Sequence, residues 1–207
     1  MELVAALAPA GGTVIDYMCG TGSLLARIQL RRPDLRLLGC DISPLFVRFA
    51  RDRRPHLSIH RCDALTFAPK QVPDIVLCTG GLHHLIEPLQ AQMLVRLHET
   101  LPPNGLLLLG DEVFGPFVTS DERKVAAHAL HCEIHEYFTT TSAPGHIIRA
   151  AEAVFEADLL RAGEYKQSKH ALTNLIGSIF TIEEIVHVWP TAEPHHGDVI
   201  FSCRKST

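Results

Sequence analysis

No CxxC pair occurs among the six cysteines, Cys19, Cys40, Cys62, Cys78, Cys132 and Cys203, and no regular short spacing joins them. That scatter excludes a thiolate zinc ribbon and a secreted disulfide framework, and it predicts reduced thiols, most of them acting as small apolar residues near strand ends. No apolar run approaches the roughly 18 residues that a membrane-spanning helix needs. The opening "MELVAALAPAGG" lacks the basic segment and cleavage site of a secretory leader, so the expected compartment is the cytoplasm. Positive charge is also scarce overall. A formal net charge of -4 argues against a general polyanion binder, although Arg27, Arg31, Arg32, Arg36, Arg48, Arg51, Arg53, Arg54 and Arg61 crowd one stretch. Those arginines read as the solvated outer faces of two helices, with a patch for RNA or an acidic carrier protein as the sharper alternative. There is no internal repeat and no low-complexity tract. A chain of 207 residues, 46% apolar, suits one domain covering residues 1–207.

What is present is alternation. "TVIDYM", "LRLLGCD", "LSIHRC", "DIVLCT" and "GLLLLGD" read as strands, interleaved with the helical patterns "GSLLARIQLRR", "SPLFVRFARDRR" and "PLQAQMLVRLHETL". Ser43 before Pro44 is a helix start, because the hydroxyl can cap free N–H groups and proline suits the first helical position. Strands rich in Val, Ile and Leu describe a parallel sheet covered on both faces. The expected fold is therefore α/β, a doubly wound, mostly parallel sheet flanked by helices. About 70 residues separate the fifth strand from "FTIEEIVHVW" and "DVIFSCRK", too many for one crossover helix. The patterns "SDERKVAAHALHCEIHEYF" and "HIIRAAEAVFEADLLRAG" are expected to form a helical cap, residues 115–165, inserted after strand five. Ligands of such sheets bind beyond the carboxyl ends of the strands, where strand order reverses. Asp16, Asp41, Asp63, Thr79, Asp111 and Glu112 are accordingly the first candidates.

In "VIDYMCGTGSLL", Gly20 and Gly22 turn a strand into a helix whose N–H groups can face a phosphate, carboxylate or ribose. A dinucleotide GxGxxG counted from Gly20 would need glycine where Leu25 stands, which weakens a nicotinamide reading. The remaining pattern, DxxxGxG from Asp16 to Gly22, resembles the first motif of class I S-adenosylmethionine-dependent methyltransferases, often written VLDLGCGTG. "LLGCDIS", "RCDALTF", "PDIVLCTGGLHHL" and "LHETLPPNGLLLLGDE" extend the resemblance over Val14 to Glu112. It implies a seven-stranded, Rossmann-like sheet and S-adenosylmethionine as cofactor. It also implies roles: Asp16 near the methionine ammonium, Gly20 and Gly22 beside methionine and ribose, and Asp41 on the ribose hydroxyls. Ile42 would pack on adenine, Asp63 and Ala64 would meet its polar edge, and Thr79 would border the same pocket. Met18 departs from the family's usual glycine. Its side chain should either narrow the methionine pocket or be tolerated by a backbone at negative φ.

A sulfonium methyl is already electrophilic, so alignment of donor and nucleophile supplies much of the acceleration, and a base assists acceptors that must lose a proton. His83 and His84 of "GGLHHL" are the expected catalytic residues, with Glu112 and Asp111 as further acceptor contacts. His128, His131 and His135 share one helical stripe and are expected to touch substrate; a metal shared by them is the weighed alternative, and no metal is expected. His195 and His196 read as surface residues. The expected function is methyl transfer from S-adenosylmethionine to oxygen or nitrogen of a small-molecule acceptor by in-line displacement. The alternatives are a cofactor-binding protein without methyl transfer and an RNA methyltransferase. The expected partner is that small acceptor, with no membrane and no nucleic acid; a homodimer is compatible with the sequence.

Overall fold

The computed structural model describes residues 1–190 and 195–205. Five apolar segments form a parallel ladder: β1 (Thr13–Tyr17), β2 (Arg36–Asp41), β3 (Ser58–Arg61), β4 (Ile75–Thr79) and β5 (Leu106–Val113). β6 (Thr181–Trp189) and β7 (Gly197–Arg204) close one edge, with β7 antiparallel to both β5 and β6. The order is β3-β2-β1-β4-β5-β7-β6, so the sheet grows outward in opposite directions from the β1/β4 pair. A crevice forms at the carboxyl ends of such a pair because the chain leaves the two strands toward opposite sides.

Successive side chains of each strand enter different cores, which is why these strands are apolar throughout. Val14, Leu37, Ile75, Leu77 and Leu106 pack beneath α1 (Glu2–Leu7), α2 (Ser23–Arg31) and α3 (Pro44–Arg53). Ile15, Tyr17, Val76, Leu107 and Leu109 pack against α4 (Glu87–Thr100) and α7 (Lys169–Gly177). Between β5 and α7 lie α5 (Ser120–Thr140) and α6 (Gly145–Leu160), packed on a smaller core of Phe114, Ala126, Ala127 and Leu130. Ser43 caps α3 by accepting from the Phe46 N–H at 3.3 Å. Thr119 and Glu122 form a reciprocal capping box at the start of α5.

Several local expectations change. The N-terminal apolar piece does not run into β1 but forms α1, which buries Val4 and is closed by Pro9 and the left-handed Gly11. A single 3₁₀ turn, Leu82–His84, and helix α7 are additional elements. Asp111 and Glu112 do not follow β5 or start a helix. They sit within it, because antiparallel pairing with Val199 and Asp198 of β7 prolongs the strand.

Gly39 of β2 lies where α2, β3 and the first turn meet the sheet. A Cβ there would come within 2.7 Å of Cys19 Sγ, 2.8 Å of Ile59 Cδ1 and 2.9 Å of Leu25 Cδ1. Gly39→Ala is expected to destabilise the fold by about 1–3 kcal/mol, as overpacked cores do. Urea denaturation checks this, and an unchanged midpoint would refute the close approach.

Candidate functional site

The first turn is built from left-handed backbone. Gly20 has φ 54° and Gly22, which precedes α2, has φ 70°. A Cβ at Gly20 would meet nothing within 4 Å, so this glycine borders open space. Met18 adopts φ 57°, which removes the alternative of a negative angle there and leaves the narrowed pocket. Its side chain lies against Gly81, whose missing Cβ would fall 2.8 Å from Met18 Cβ. The left-handed region costs a side-chain-bearing residue about 1–2 kcal/mol, so packing in this turn holds Met18 against its own preference.

Asp41 closes the turn. One carboxylate oxygen accepts from Gly20 N–H and the other from Ser43 N–H, both at 2.8 Å. Asp16 is 1% exposed, and its Oδ1 has no hydrogen-bond partner among the described residues. Burial, and then the nearby Asp41 charge, push the Asp16 carboxyl up to about 7. Asp63 is spent differently: its Oδ1 accepts from Leu65 N–H at 2.9 Å in an exposed turn. Ile42 is exposed and Ala64 is buried.

Farther along the sheet, a cavity of about 680 Å³ opens over the ends of β4, β5 and β7. It brings together Thr79, His83, His84 and Glu112, and its lining does not include Asp16, Asp41, Ile42, Asp63 or Ala64. The 3₁₀ turn presents His83 to Asp111, whose two oxygens engage His83 twice, at the backbone N–H (3.0 Å) and at ring Nδ1. A carboxylate can only accept, so Nδ1 carries the proton and Nε2 is left facing Glu164 Oε2 at 3.5 Å. Burial pulls the His83 pKa down, but the charge and hydrogen bond of Asp111 outweigh it, and the net direction is upward. His84 is more exposed, with Nδ1 3.0 Å from the Gly163 carbonyl oxygen.

Residues that sequence reasoning missed complete this cavity. Lys166, 2% exposed, places Nζ 2.6 Å from Glu164, 2.9 Å from Asp158 and 3.1 Å from Glu112. Three ammonium hydrogens thus face three carboxylates. Arg123 of α5 donates to the backbone carbonyls of Asp158 and Glu164, at 2.7 and 3.4 Å. Burial raises the carboxyls of Glu112 and Asp158 while Lys166 opposes the shift. Asp198 is raised by burial and then by Asp111. "GEYK" carries no periodic pattern or motif spacing that would have flagged Glu164 and Lys166.

The histidine stripe of α5 does not converge on one point. His131 stacks on Phe155 with ring centroids 4.1 Å apart, His128 meets the same ring edge-on, and His135 is 6.1 Å from His131. Among the described residues, the His/Cys/Asp/Glu trio close enough to share a cation is instead His83, His84 and Glu164, with ligand atoms within 4.8 Å of one another. His196, read as a surface residue, is buried beside β7, whereas His195 is exposed. Of the crowded arginines, Arg31, Arg32, Arg36, Arg51 and Arg54 are engaged in local ion pairs or hydrogen bonds.

Comparison with known proteins supplies the family context. Residues 15–107 match the family described as "Methyltransferase domain". The trans-aconitate 2-methyltransferase of Variovorax paradoxus is 31% identical over 102 residues, 49% of this chain and 39% of that protein. An uncharacterised methyltransferase of Oceanobacillus iheyensis is 28% identical over 102 residues, 49% of this chain and 47% of its own length. The matched part thus spans less than half of these curated relatives. Among solved structures, the N-methyltransferase NodS of Bradyrhizobium japonicum, in complex with S-adenosyl-L-homocysteine, superposes with TM-score 0.62 at 15% identity, covering 99% of this chain and 84% of that one. The mitomycin 7-O-methyltransferase MmcR gives TM-score 0.66 at 20% identity, covering 98% and 52%. These likenesses establish the Rossmann-like fold, whose strand order the chain shares.

Lys166→Met is expected to destabilise the chain by about 3–5 kcal/mol near neutral pH, because buried Asp158 and Glu164 and partly buried Glu112 lose their shared cation. Burial holds Glu112 and Asp158 above their unfolded pKa values, so the variant's deficit grows as pH rises and shrinks as these two protonate. Urea denaturation at acidic and mildly alkaline pH checks this; a deficit independent of pH would contradict it.

Proposed function

We propose, from the premise that residues 15–107 belong to the class I S-adenosylmethionine-dependent methyltransferase family, that this chain transfers a methyl group from S-adenosylmethionine to a small-molecule acceptor. The observation that carries the reading is the orphaned Oδ1 of buried Asp16, beside a glycine turn closed by Asp41. A carboxylate oxygen with no donor among the described residues fits an ammonium-bearing ligand, and the open space at Gly20 leaves room for it. When bound, the cofactor supplies an electrophilic methyl on a sulfonium centre.

The chain's own residues divide the remaining work. Asp16 holds the ammonium, and Asp41 orients the turn while keeping lone pairs for the ribose hydroxyls. Gly22, Ile42, Asp63, Ala64 and Thr79 retain their proposed cofactor contacts, with Asp63 meeting adenine through the turn it caps. Asp111 fixes the His83 tautomer, so that Nε2 accepts the proton of an acceptor hydroxyl or amine. His84 and Glu112 border the acceptor, and the α5–α6 hairpin within residues 115–165 covers it. An RNA acceptor is disfavoured because five of the nine crowded arginines already serve the fold.

Calorimetry tests the cofactor reading. S-adenosylmethionine should bind at neutral pH with proton release, because Asp16 titrates at about 7 and the ligand needs it ionised. Below that pH the affinity should fall by up to about tenfold per unit. Asp16→Asn should abolish the proton release and weaken binding. Failure of the wild-type chain to bind at any pH sinks the assignment. In a panel of hydroxyl and amine acceptors, His83→Gln should lower S-adenosylhomocysteine production by about 10²-fold or more.

A further inference from the structure

We infer that the acceptor is a cationic amphiphile: a small molecule whose apolar arm enters the slot between α5 and α6 and whose protonated nitrogen, distinct from the methyl-accepting atom, lies against Glu112 and Asp158. The inference rests on the methyl-transfer reading for the identity of the cavity, not for the chemistry of the slot.

The slot is an apolar space of about 270 Å³. Ala127, Leu130 and Ile134 form one wall, and Ala151, Val154 and Phe155 the other. An apolar cavity of about 150 Å³ holds one benzene ring, so this slot accommodates roughly two rings or a chain of similar bulk. It is continuous with the larger cavity through Glu112 and Val154, which line both spaces. A molecule placed with its nucleophile at His83 can therefore extend past Glu112 into the hairpin.

The polar end of the slot selects charge. Asp158 is 5% exposed and lines the slot; among the described residues its Oδ1 has no hydrogen-bond partner, while Oδ2 pairs with Lys166. Arg123 Nη2 stands 3.9 Å from that Oδ1, beyond hydrogen-bond reach. Glu112 engages Lys166 through Oε2, so Oε1 stands outside that ion pair. Asp111, Glu112, Glu164 and Asp198 line the cavity, together with Lys166, His83 and Met1. The Lys166 ammonium cannot serve an anionic acceptor, because its three hydrogens already face Glu112, Asp158 and Glu164. An ammonium carries no lone pair to receive a methyl group while it stays protonated, and a nitrogen held at Glu112 and Asp158 is not the one presented to His83, so the recognised charge and the reacting atom are different groups in this placement.

The matched segment, residues 15–107, ends before every one of these acidic residues. A tricarboxylate such as the one in the name of the Variovorax paradoxus relative would meet like charge here. Acceptor selectivity is therefore a property of the later residues.

The test titrates the cofactor-free chain, followed by calorimetry, with naphthylethylamine, with naphthylpropionate of the same shape, and with ethylamine, which lacks the rings. Naphthylethylamine should bind with a Kd at least about tenfold below either comparison ligand. Ala151→Phe, which fills the slot, should weaken it by about tenfold, and Glu112→Gln should bring amine and carboxylate within about threefold of each other. Far-UV circular dichroism reports folding of each variant, and one folded variant is enough to decide the outcome. Carboxylate binding as tight as the amine overturns the inference, as does amine affinity unaltered by a folded variant. S-adenosylmethionine binding, measured on the same preparation, reports the methyl-transfer reading separately.

Discussion

Burial of the Lys166 ammonium among Glu112, Asp158 and Glu164 is the constraint on which the second half of the molecule depends. A lysine this enclosed stays charged only if its partners surround it, and they come from β5, from α6 and from the segment after α6. Burial works against ionisation of Glu112 and Asp158, and the ammonium opposes that shift in both. The α5–α6 hairpin cannot leave the sheet without separating these charges, and the Arg123 bonds to two backbone carbonyls fasten it further. Such networks add less net stability than their contacts suggest, but they penalise alternative arrangements, and here they fix one position for the slot between α5 and α6.

The two halves of the chain do different kinds of work. From β1 to β4, backbone geometry dominates: left-handed turns at Gly20 and Gly22, a carboxylate bridging Gly20 and Ser43, and strands that end together. Beyond β5, side-chain charge dominates, and its elements come from segments far apart in sequence. A fold shared with proteins of low identity fits this division, because the sheet can be kept while the residues over its β5 and β7 end are replaced.

That division also decides what could be read before any coordinates. The parallel strands, the Ser43 cap and the glycine turn were legible because each is a local signal: an apolar run, a hydroxyl before proline, two glycines after an acid. Asp16 and Asp41 were legible as candidates because each lies at or next to the carboxyl end of its strand, and those two strands pair. Helix α1 was not, since six residues ending just before Pro9 are too short for a clear period. Met18 was half legible: its oddity is visible as a missing glycine, but the positive φ depends on packing against Gly81. The Lys166 cluster was invisible, because nothing local distinguishes a buried lysine in "GEYKQS" from a solvated one. The histidine stripe was legible as a regular spacing, but its surroundings were not: His128 and His131 meet the Phe155 ring, and His131 lines the slot between α5 and α6.

Protonation links the two ends of the site. Before any ligand arrives, Asp16 titrates at about 7 because it is buried beside Asp41, and His83 is held toward its charged form by Asp111. Each is biased away from the state that the proposed methyl transfer requires, an ionised Asp16 and a neutral His83. A cation beside either group opposes its bias, since positive charge favours ionised carboxyl and neutral imidazole alike. In the proposed complex, a sulfonium with its ammonium acts on Asp16 directly, and a cationic acceptor at Glu112 acts on His83. Under the proposed reading, the carboxylates around the cavity attract a positive ligand, and its charge favours the ionised Asp16 and the neutral His83.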